Sequence, residues 1–145
     1  MADITVIVDS RGGNTRKVAD AIAAELGAAI GEIRAPVPAG AKILFLGSGT
    51  YGGAPGIDLM AFVTDNDFAG RKVAIFGTSG GAGGAEKMLA ALEDGLRRKG
   101  AVVLGKWHCR GKMFLFNRGH PDDADLADAR AFARKMAASA AFVQA

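Results

Sequence analysis

Four short apolar segments recur along the chain, and their spacing constrains the fold more than any other feature of the sequence. They are ITVIV (residues 4–8), KILFLG (42–47), KVAIFG (72–77) and AVVLGKW (101–107). Each is apolar throughout rather than at alternate positions, which is typical of strands buried on both faces of a parallel sheet. A fifth, weaker strand is predicted in AAIGEIR (28–34), before the turn signal PVPAG.

Helical patterns separate these segments. In the first of them the apolar residues Val18, Ile22 and Leu26 lie four positions apart and form one face. Strands that alternate with helices predict an α/β fold, here a doubly wound five-stranded parallel sheet with right-handed crossovers and helices on both faces. The length of 145 residues suits one core, so we expect a single domain over residues 1–145.

The composition limits the kinds of binding partner and the cellular compartment that we expect. The net charge is +3 and the sequence pI is about 9.2. The one basic cluster, RRK at 97–99, has no interleaved aromatic residues, so we interpret it as the end of a helix and expect no nucleic-acid partner. The single cysteine, Cys109, favours a reducing compartment. No signal peptide or membrane-length apolar run is visible, so we expect a cytoplasmic location without a membrane partner.

Loops rich in Gly, Ser and Thr follow three of the predicted strands. They are DSRGGNT (9–15), SGTYGGAPG (48–56) and TSGGAGGAEK (78–87). The carboxyl ends of parallel strands share one edge of the sheet, where such folds bind their ligands. Glycine-rich backbone before a helix presents N–H groups to an anion, and the helix dipole adds to the attraction. The first loop therefore predicts an anion cradle.

Two nucleotide-binding motifs are weaker alternatives. The chain contains no G-x-x-x-x-G-K-[ST] segment, which disfavours NTP hydrolysis. A G-x-G-x-x-G pattern does occur at Gly47, Gly49 and Gly52, with Asp67 at about the distance of a ribose-binding acid. However, this pattern follows an internal strand and Pro55 delays the next helix, so a dinucleotide site is disfavoured.

The three loops together resemble those of flavodoxins. Ser10, Gly13, Asn14 and Thr15 match the flavodoxin phosphate loop T/S-x-T-G-x-T. GSGTYGG and FGTSGGAGGAEKM take the places of the second and third flavin loops, and PDDADLADARAFARKMA resembles the last helix of that fold. The similarity covers nearly the whole chain in the right order and in the short-chain form. It implies a non-covalently held FMN cofactor.

The resemblance also implies a role for each loop. The first would hold the FMN phosphate, Tyr51 would lie against one face of the isoalloxazine ring, and the third loop would line its pyrimidine edge. Gly52 matches the residue whose peptide flips to accept a hydrogen bond from the reduced flavin N5. The implied cofactor-binding residues are Ser10, Arg11, Gly12, Gly13, Asn14, Thr15, Ser48, Gly49, Thr50, Tyr51, Gly52, Gly53, Thr78, Ser79, Gly80, Gly81 and Gly83.

The chain departs from the flavodoxin pattern at two places. Gly12 replaces a hydroxyl residue of the phosphate loop. Two interpretations of Arg11 stay open: its charge offsets the lost hydrogen bond, or its side chain leaves the loop for solvent. The third loop lacks the aromatic residue that covers the outer face of the flavin. Trp107, His108 and Phe114 are the candidates to replace it, although Phe114 is better explained as core.

The segment WHCRGKMFLFNRGH is predicted to be a small insertion near the last strand. One cysteine and two histidines, at His108, Cys109 and His120, are too few for a metal centre, so we expect no metal. Cys109 is either a buried structural residue, which we favour, or a reactive thiol beside Arg110 and Lys112.

No Ser-His-Asp, paired-carboxylate or metal constellation indicates hydrolytic chemistry, and we assign no catalytic residue. The favoured function is an FMN-binding, flavodoxin-like protein that carries electrons between redox partners. Because the chain is basic, those partners are expected to present an acidic face. Two alternatives stay open: an FMN-dependent reductase of a quinone or other small acceptor, and a flavin-free module of the same fold.

Overall fold

The computed structural model describes residues 3–81, 83–111 and 119–142, and it confirms the predicted α/β fold. The sheet is parallel and five-stranded, in the order β2-β1-β3-β4-β5. The elements in chain order are β1 (Ile4–Asp9), α1 (Asn14–Leu26), β2 (Ala29–Ile30), β3 (Ile43–Gly49), α2 (Ile57–Asp65), β4 (Lys72–Ser79), α3 (Gly84–Arg98), β5 (Val102–Arg110) and α4 (Asp123–Ser139), followed by a 3-10 turn (Ala140–Phe142).

Two hydrophobic cores cover the two faces of the sheet. On β3, Leu44 and Leu46 pack into the core under α2 and α3, whereas Phe45 packs into the core under α1 and α4. Burial on both faces explains why β3 is apolar throughout rather than alternating. Phe45 and Phe76 are fully buried, and burial of each such side chain stabilises the fold by roughly 1.5–3 kcal/mol.

The strand order places a crevice between β1 and β3. The chain runs from β1 outward to β2, then crosses back to β3 on the other side of β1. At such a reversal the loops after the two strands separate to opposite faces of the sheet and leave a crevice beyond their carboxyl ends. The loops after β1 and β3 are two of the three that the sequence predicts to bind a ligand.

Two strand boundaries differ from the prediction. β2 has only two paired residues, Ala29 and Ile30, which lie beside Thr5 and Val6 of β1. β5 runs on to Arg110, which pairs with Ser79, so residues 107–110 belong to the strand and not to an insertion. Within the predicted insertion, residues 112–118 lie outside the described residues.

The basic cluster at 97–99 lies at the end of α3, as the sequence indicated. Arg97 pairs with Glu93 and Arg98 pairs with Asp94, at 2.8 and 2.9 Å. Lys99 Nζ donates to the carbonyl oxygen of Thr64. Within the ranges that the structure describes, no helix combines the length and apolarity needed to cross a membrane.

Candidate functional site

The three predicted loops meet around one cavity at the carboxyl edge of β1, β3 and β4. Its volume is about 230 Å³, and it is open to solvent. The described residues that line it are Ser10, Gly12, Asn14, Thr15, Gly49, Thr50, Tyr51, Thr78, Ser79, Gly80 and Gly111.

Cavity volume alone would favour a different cavity as the binding site. A cavity of about 520 Å³ lies at the opposite edge of the sheet, between Lys42, Lys72 and Ala140. In a parallel α/β fold the helices present their C-terminal ends at that edge, and these ends repel anions. The smaller cavity has helix N-termini instead, so its chemistry makes it the better candidate.

The N-terminus of α1 opens into the smaller cavity, and its N-cap residue has no side chain. Gly13 is the N-cap residue, its φ of 88° is in the left-handed region, and no side chain caps the helix from that position. The first turn of α1 has no acidic residue. The helix dipole therefore favours an anion at this end.

The loop before α1 supplies further donors. Ser10 Oγ accepts a hydrogen bond from the Arg16 backbone N–H at 3.2 Å, which leaves its own hydroxyl proton to donate. A Cβ atom built on Gly12 would meet no heavy atom within 4 Å, so the loop backbone is uncovered there. Backbone and hydroxyl donors thus face the same space.

Threonine side chains tie the three loops together beneath the cavity. The hydroxyls of Thr15 and Thr78 share a buried hydrogen bond of 2.8 Å. Thr50 Oγ1 donates to the carbonyl oxygen of Thr78 at 2.9 Å. These hydroxyls therefore fix the loops relative to each other, in addition to lining the cavity.

Tyr51 lies across the cavity on a tight turn. Hydrogen bonds of 2.9 and 3.1 Å join the backbones of Tyr51 and Ala54, and Gly52 and Gly53 between them have φ angles of 63° and 79°. Two central residues with positive φ define a type I′ turn, which favours glycine at both positions. The phenol end of Tyr51 folds back over Gly49, where a Cβ atom would lie 2.6 Å from the Tyr51 hydroxyl.

Arg11 covers one face of the Tyr51 ring. Its backbone N–H donates to the Tyr51 hydroxyl at 3.2 Å. Its guanidinium carbon lies 4.1 Å from the centroid of the same ring, which is a cation–π contact. The first and second loops are therefore joined through these two residues.

Asp9 is a buried carboxylate at this edge that sequence reasoning missed. Its Oδ2 accepts a hydrogen bond of 3.1 Å from the backbone N–H of Leu59, in the first turn of α2. A side chain on Gly56 would collide with the Asp9 carboxylate, so glycine is required there. Ser48, which was predicted to bind the cofactor, is fully buried beside it and bonds to Gly49 O and Gly56 N.

The predicted cofactor residues fall into two groups. In the part of the chain that the structure describes, the predicted residues that do not line the cavity are Arg11, Gly13, Ser48, Gly52, Gly53, Gly81 and Gly83. Gly111 lines the cavity but was not predicted. The Asn14 side chain lies 2.9 Å from where a Gly111 Cβ would stand, so a glycine directly after the last strand was the available signal.

Similarity to known proteins identifies the family of this chain. The flavodoxin domain family matches residues 5–117. The chain belongs to this family. An uncharacterized protein of Methanocaldococcus jannaschii is 31% identical over 134 residues, which cover 85% of this chain and 89% of the relative.

Solved structures show the same flavodoxin fold. Oxidised flavodoxin 2 from Bacillus cereus superposes with a TM-score of 0.76 at 23% identity, over 95% of this chain and 99% of that one. The metal-soaked Flv1 flavodiiron core from Synechocystis sp. PCC6803 superposes with a TM-score of 0.73 at 20% identity. There the match covers 96% of this chain but only 36% of the larger protein.

Of the three candidates to cover the outer face of a flavin, Trp107 packs elsewhere. The Trp107 ring stacks on Phe132 of α4, with centroids 6.4 Å apart, and belongs to the core under α1 and α4. His108 points to the other face of β5, where its Nε2 lies 3.9 Å from Glu86. Phe114, the third candidate, lies outside the described residues.

The hypothesis of a reactive thiol is wrong. Cys109 is buried, and this burial, together with the nearby charges of Asp125 and Asp122, raises the pKa of its thiol to about 12. The thiolate is therefore scarce at neutral pH. The favoured prediction of a buried structural cysteine is confirmed.

Two acidic residues and a histidine at the start of α4 are explained by helix capping. Asp122 accepts from the Asp125 backbone N–H and Asp125 accepts from the Asp122 backbone N–H, which is a capping box. His120 Nδ1 lies 2.6 Å from Asp125 Oδ2. Because of this capping, polar side-chain atoms lie within 4.8 Å of one another in His120, Asp122 and Asp125.

The dinucleotide alternative does not fit the structure. Gly47 is a glycine because the Phe76 ring fills the space of its Cβ atom, which is a packing role. Asp67 accepts a hydrogen bond from the Ala69 backbone N–H in the turn before β4, at the edge of the sheet opposite the cavity. The G-x-G-x-x-G pattern and its acidic partner are therefore not brought together.

Proposed function

We propose that the cavity binds FMN, with its phosphate at the N-terminus of α1, and that the chain carries electrons between redox partners. One observation carries this proposal: a helix N-terminus with a glycine N-cap and no acidic residue in its first turn opens beside the ring of Tyr51. FMN combines a phosphate with a flat aromatic ring, and these are the two groups that such a site accommodates. When bound, FMN supplies the redox chemistry, and the protein orients it.

The residues of the first loop would hold the phosphate. Ser10 has a hydroxyl proton to donate because its oxygen already accepts from Arg16. The backbone at Gly12 and Gly13 is uncovered, so the phosphate can approach the N–H groups closely. The neutral α1 N-terminus adds a favourable dipole, since no acidic side chain lies in its first turn.

The second loop would hold the ring. Tyr51 is the only aromatic residue among the described residues that line the cavity. Gly52 and Gly53 can change the orientation of the peptide between them at little steric cost, because glycine tolerates both signs of φ. This freedom supports the proposal that the turn adjusts its hydrogen bonds to the bound cofactor.

Charge near the cavity supports docking to acidic partners. Arg11, Lys87 and Arg110 are exposed, and no carboxylate in the described ranges forms an ion pair with them. The aliphatic part of Lys87 packs against Gly53 of the second loop. Ile57, at the start of α2, is 75% exposed and offers an apolar contact at the same edge of the sheet. A single cysteine further supports a cytoplasmic location for the proposed carrier.

A second candidate is an FMN-dependent reductase of a quinone or other small acceptor. It is favoured by the third loop, whose described residues Thr78 to Gly81 have no aromatic side chain to cover a ring. An acceptor could then stack on the open face. Saturation of the rate of flavin oxidation with increasing quinone would indicate this reductase, whereas a carrier would show no such complex.

The decisive experiment is a spectrum followed by a titration. The purified protein is expected to be yellow, and its apoprotein is expected to bind FMN with a Kd in the micromolar range or tighter. The titration should quench flavin fluorescence with a stoichiometry of one. A colourless protein whose apoprotein ignores FMN would reject the proposal and favour the flavin-free module.

A further inference from the structure

Tyr51 is held by two different groups of one residue. The Arg11 backbone N–H donates to the Tyr51 hydroxyl at 3.2 Å, and the Arg11 guanidinium covers the ring at 4.1 Å. The phenol end of Tyr51 also rests against Gly49, so Arg11 and Gly49 together hold the ring in place. A flat ligand can stack on the ring face that the guanidinium covers only if Arg11 leaves this position.

Both groups of Arg11 are also the groups that an anion would bind. The backbone N–H lies in the loop that leads into the open N-terminus of α1, where anions are favoured. The guanidinium is exposed, carries no ion pair in the described part of the chain, and matches the geometry of a phosphate. Tyr51 and a phosphate therefore compete for the same residue.

We propose that Arg11 determines specificity by coupling the two halves of the ligand. Without a ligand, Arg11 covers the Tyr51 ring. A phosphate in the cradle draws the guanidinium and the N–H to itself, and this frees the ring for the aromatic part of the same molecule. The inference rests on the proposed binding of FMN and states how that site rejects flavins without a phosphate.

Riboflavin makes the consequence measurable. Riboflavin has the ring of FMN but no phosphate, so it must uncover Tyr51 without a new partner for Arg11. An Arg11 that only bound phosphate would have no influence on riboflavin. Under the coupling proposed here, removal of the guanidinium weakens FMN binding but strengthens riboflavin binding.

The first test measures both ligands on one variant. Arg11→Gln keeps the backbone N–H and removes the charge, and exposed Arg98→Gln at the end of α3 is the matched control. We expect the Kd of FMN to rise about tenfold, as for a lost charged hydrogen bond. The Kd of riboflavin should fall by about two- to fivefold, the scale of a cation–π contact. A riboflavin Kd that is unchanged or higher in Arg11→Gln overturns the coupling.

The second test needs no flavin and so separates this inference from the proposed function. Tyr51 is the only tyrosine in the chain, so its ring signals in an NMR spectrum are unambiguous. Inorganic phosphate added to the apoprotein should shift these signals in a saturable way, and chloride at equal ionic strength should not. In Arg11→Gln the phosphate-dependent shift should disappear.

The outcomes are distinguishable. Failure of wild-type protein to bind FMN rejects the proposed function, whatever Arg11 does. Binding of FMN with Tyr51 signals that ignore phosphate, or that respond equally in Arg11→Gln, overturns the coupling and leaves the FMN site intact. If riboflavin binds neither protein, the Tyr51 signals alone decide.

Discussion

The N-termini of α1 and α2 lie at the same edge of the sheet, but they differ in the side chain that accepts their backbone N–H groups. Both follow a glycine N-cap, Gly13 or Gly56, that offers no side-chain hydrogen bond. At α2 the carboxylate of Asp9 accepts from the Leu59 N–H, so the helix receives an anion from within the protein. At α1 the corresponding acceptor is the neutral hydroxyl of Ser10, which bonds to the Arg16 N–H.

The contrast shows how one strand end can serve two purposes. Asp9 is the last residue of β1 and Ser10 is the next, so the two acceptors are neighbours in sequence. A helix N-terminus carries roughly half a positive charge, which an internal carboxylate neutralises and a hydroxyl does not. The end of α2 is therefore complete without a ligand, whereas the end of α1 still favours an anion from outside.

The largest effect is expected when α1 is given an internal anion like that of α2. Gly12→Asp places a carboxylate where a Cβ atom meets nothing within 4 Å, so the folded structure accommodates it. The carboxylate should compete with the phosphate for the helix end and repel it. We expect the Kd of FMN to rise about 100-fold, equivalent to roughly 2.7 kcal/mol, in a fluorescence titration.

Gly12→Ala is the matched control for this change. It adds a side chain without charge, and its Kd for FMN should stay within about threefold of the wild type, or roughly 0.7 kcal/mol. Urea unfolding should show that neither variant loses much stability. If Gly12→Asp binds FMN as well as Gly12→Ala does, the N-terminus of α1 is not where the phosphate lies.

The next largest effect is on stability. It is expected when a mutation of Asp9 removes the carboxylate that accepts a hydrogen bond at the start of α2. Asp9→Ala leaves the Leu59 N–H without its acceptor at a buried helix start, which should lower the free energy of unfolding by about 1–2 kcal/mol. Asp9→Asn keeps an acceptor oxygen and loses only the charge. It should cost less than about 1 kcal/mol.

Urea unfolding at neutral pH compares these two variants. A loss in Asp9→Asn as large as that in Asp9→Ala would show that the charge, rather than the hydrogen bond, stabilises the start of α2. No loss in either variant would contradict the comparison between α1 and α2 itself.

Sequence analysis predicted the location of the cavity because its signals are local. A short apolar run followed by Gly, Ser and Thr marks a strand end, and parallel strands bring such ends to one edge. The contacts that distinguish α1 from α2 are not local. Asp9 and Leu59 are 50 residues apart, and Arg11 and Tyr51 are 40 apart, so only the packed structure brings them together.

The error at Trp107 has a different cause. The segment from Trp107 to Arg110 was interpreted as an insertion, which hid the alternation of side chains along a strand. In β5, Trp107 and Cys109 face the core under α1 and α4, while His108 faces α3. Extension of the strand by three residues would have predicted this alternation and excluded Trp107 as a cover for the cavity.

The smallest effect is expected at the start of α4. There the carboxylates of Asp122 and Asp125 cap the helix from within the protein. The hydrogen bond to Asp125 raises the pKa of His120 above its usual value of 6.5. Burial raises the pKa of Asp125, but hydrogen bonds from His120 and from the Asp122 backbone outweigh it, so the net pKa lies below 3.8. Between these values both groups are charged and attract each other.

The sign of the pH dependence follows from these shifts. A raised pKa means that protonated His120 stabilises the folded state fully below pH 6.5, and that this contribution is lost as the pH rises through the folded pKa. Asp125 stays ionised throughout that interval, and Arg110 opposes the effect only weakly as the last of the contributing charges.

The free energy of unfolding of wild type relative to His120→Gln should therefore be larger at about pH 6 than at about pH 8. Urea unfolding at the two pH values measures the difference. A constant difference would mean that His120 is held as a neutral ring, because only protonation makes its bond to Asp125 an ion pair. The pH effect should be small because both side chains are partly exposed.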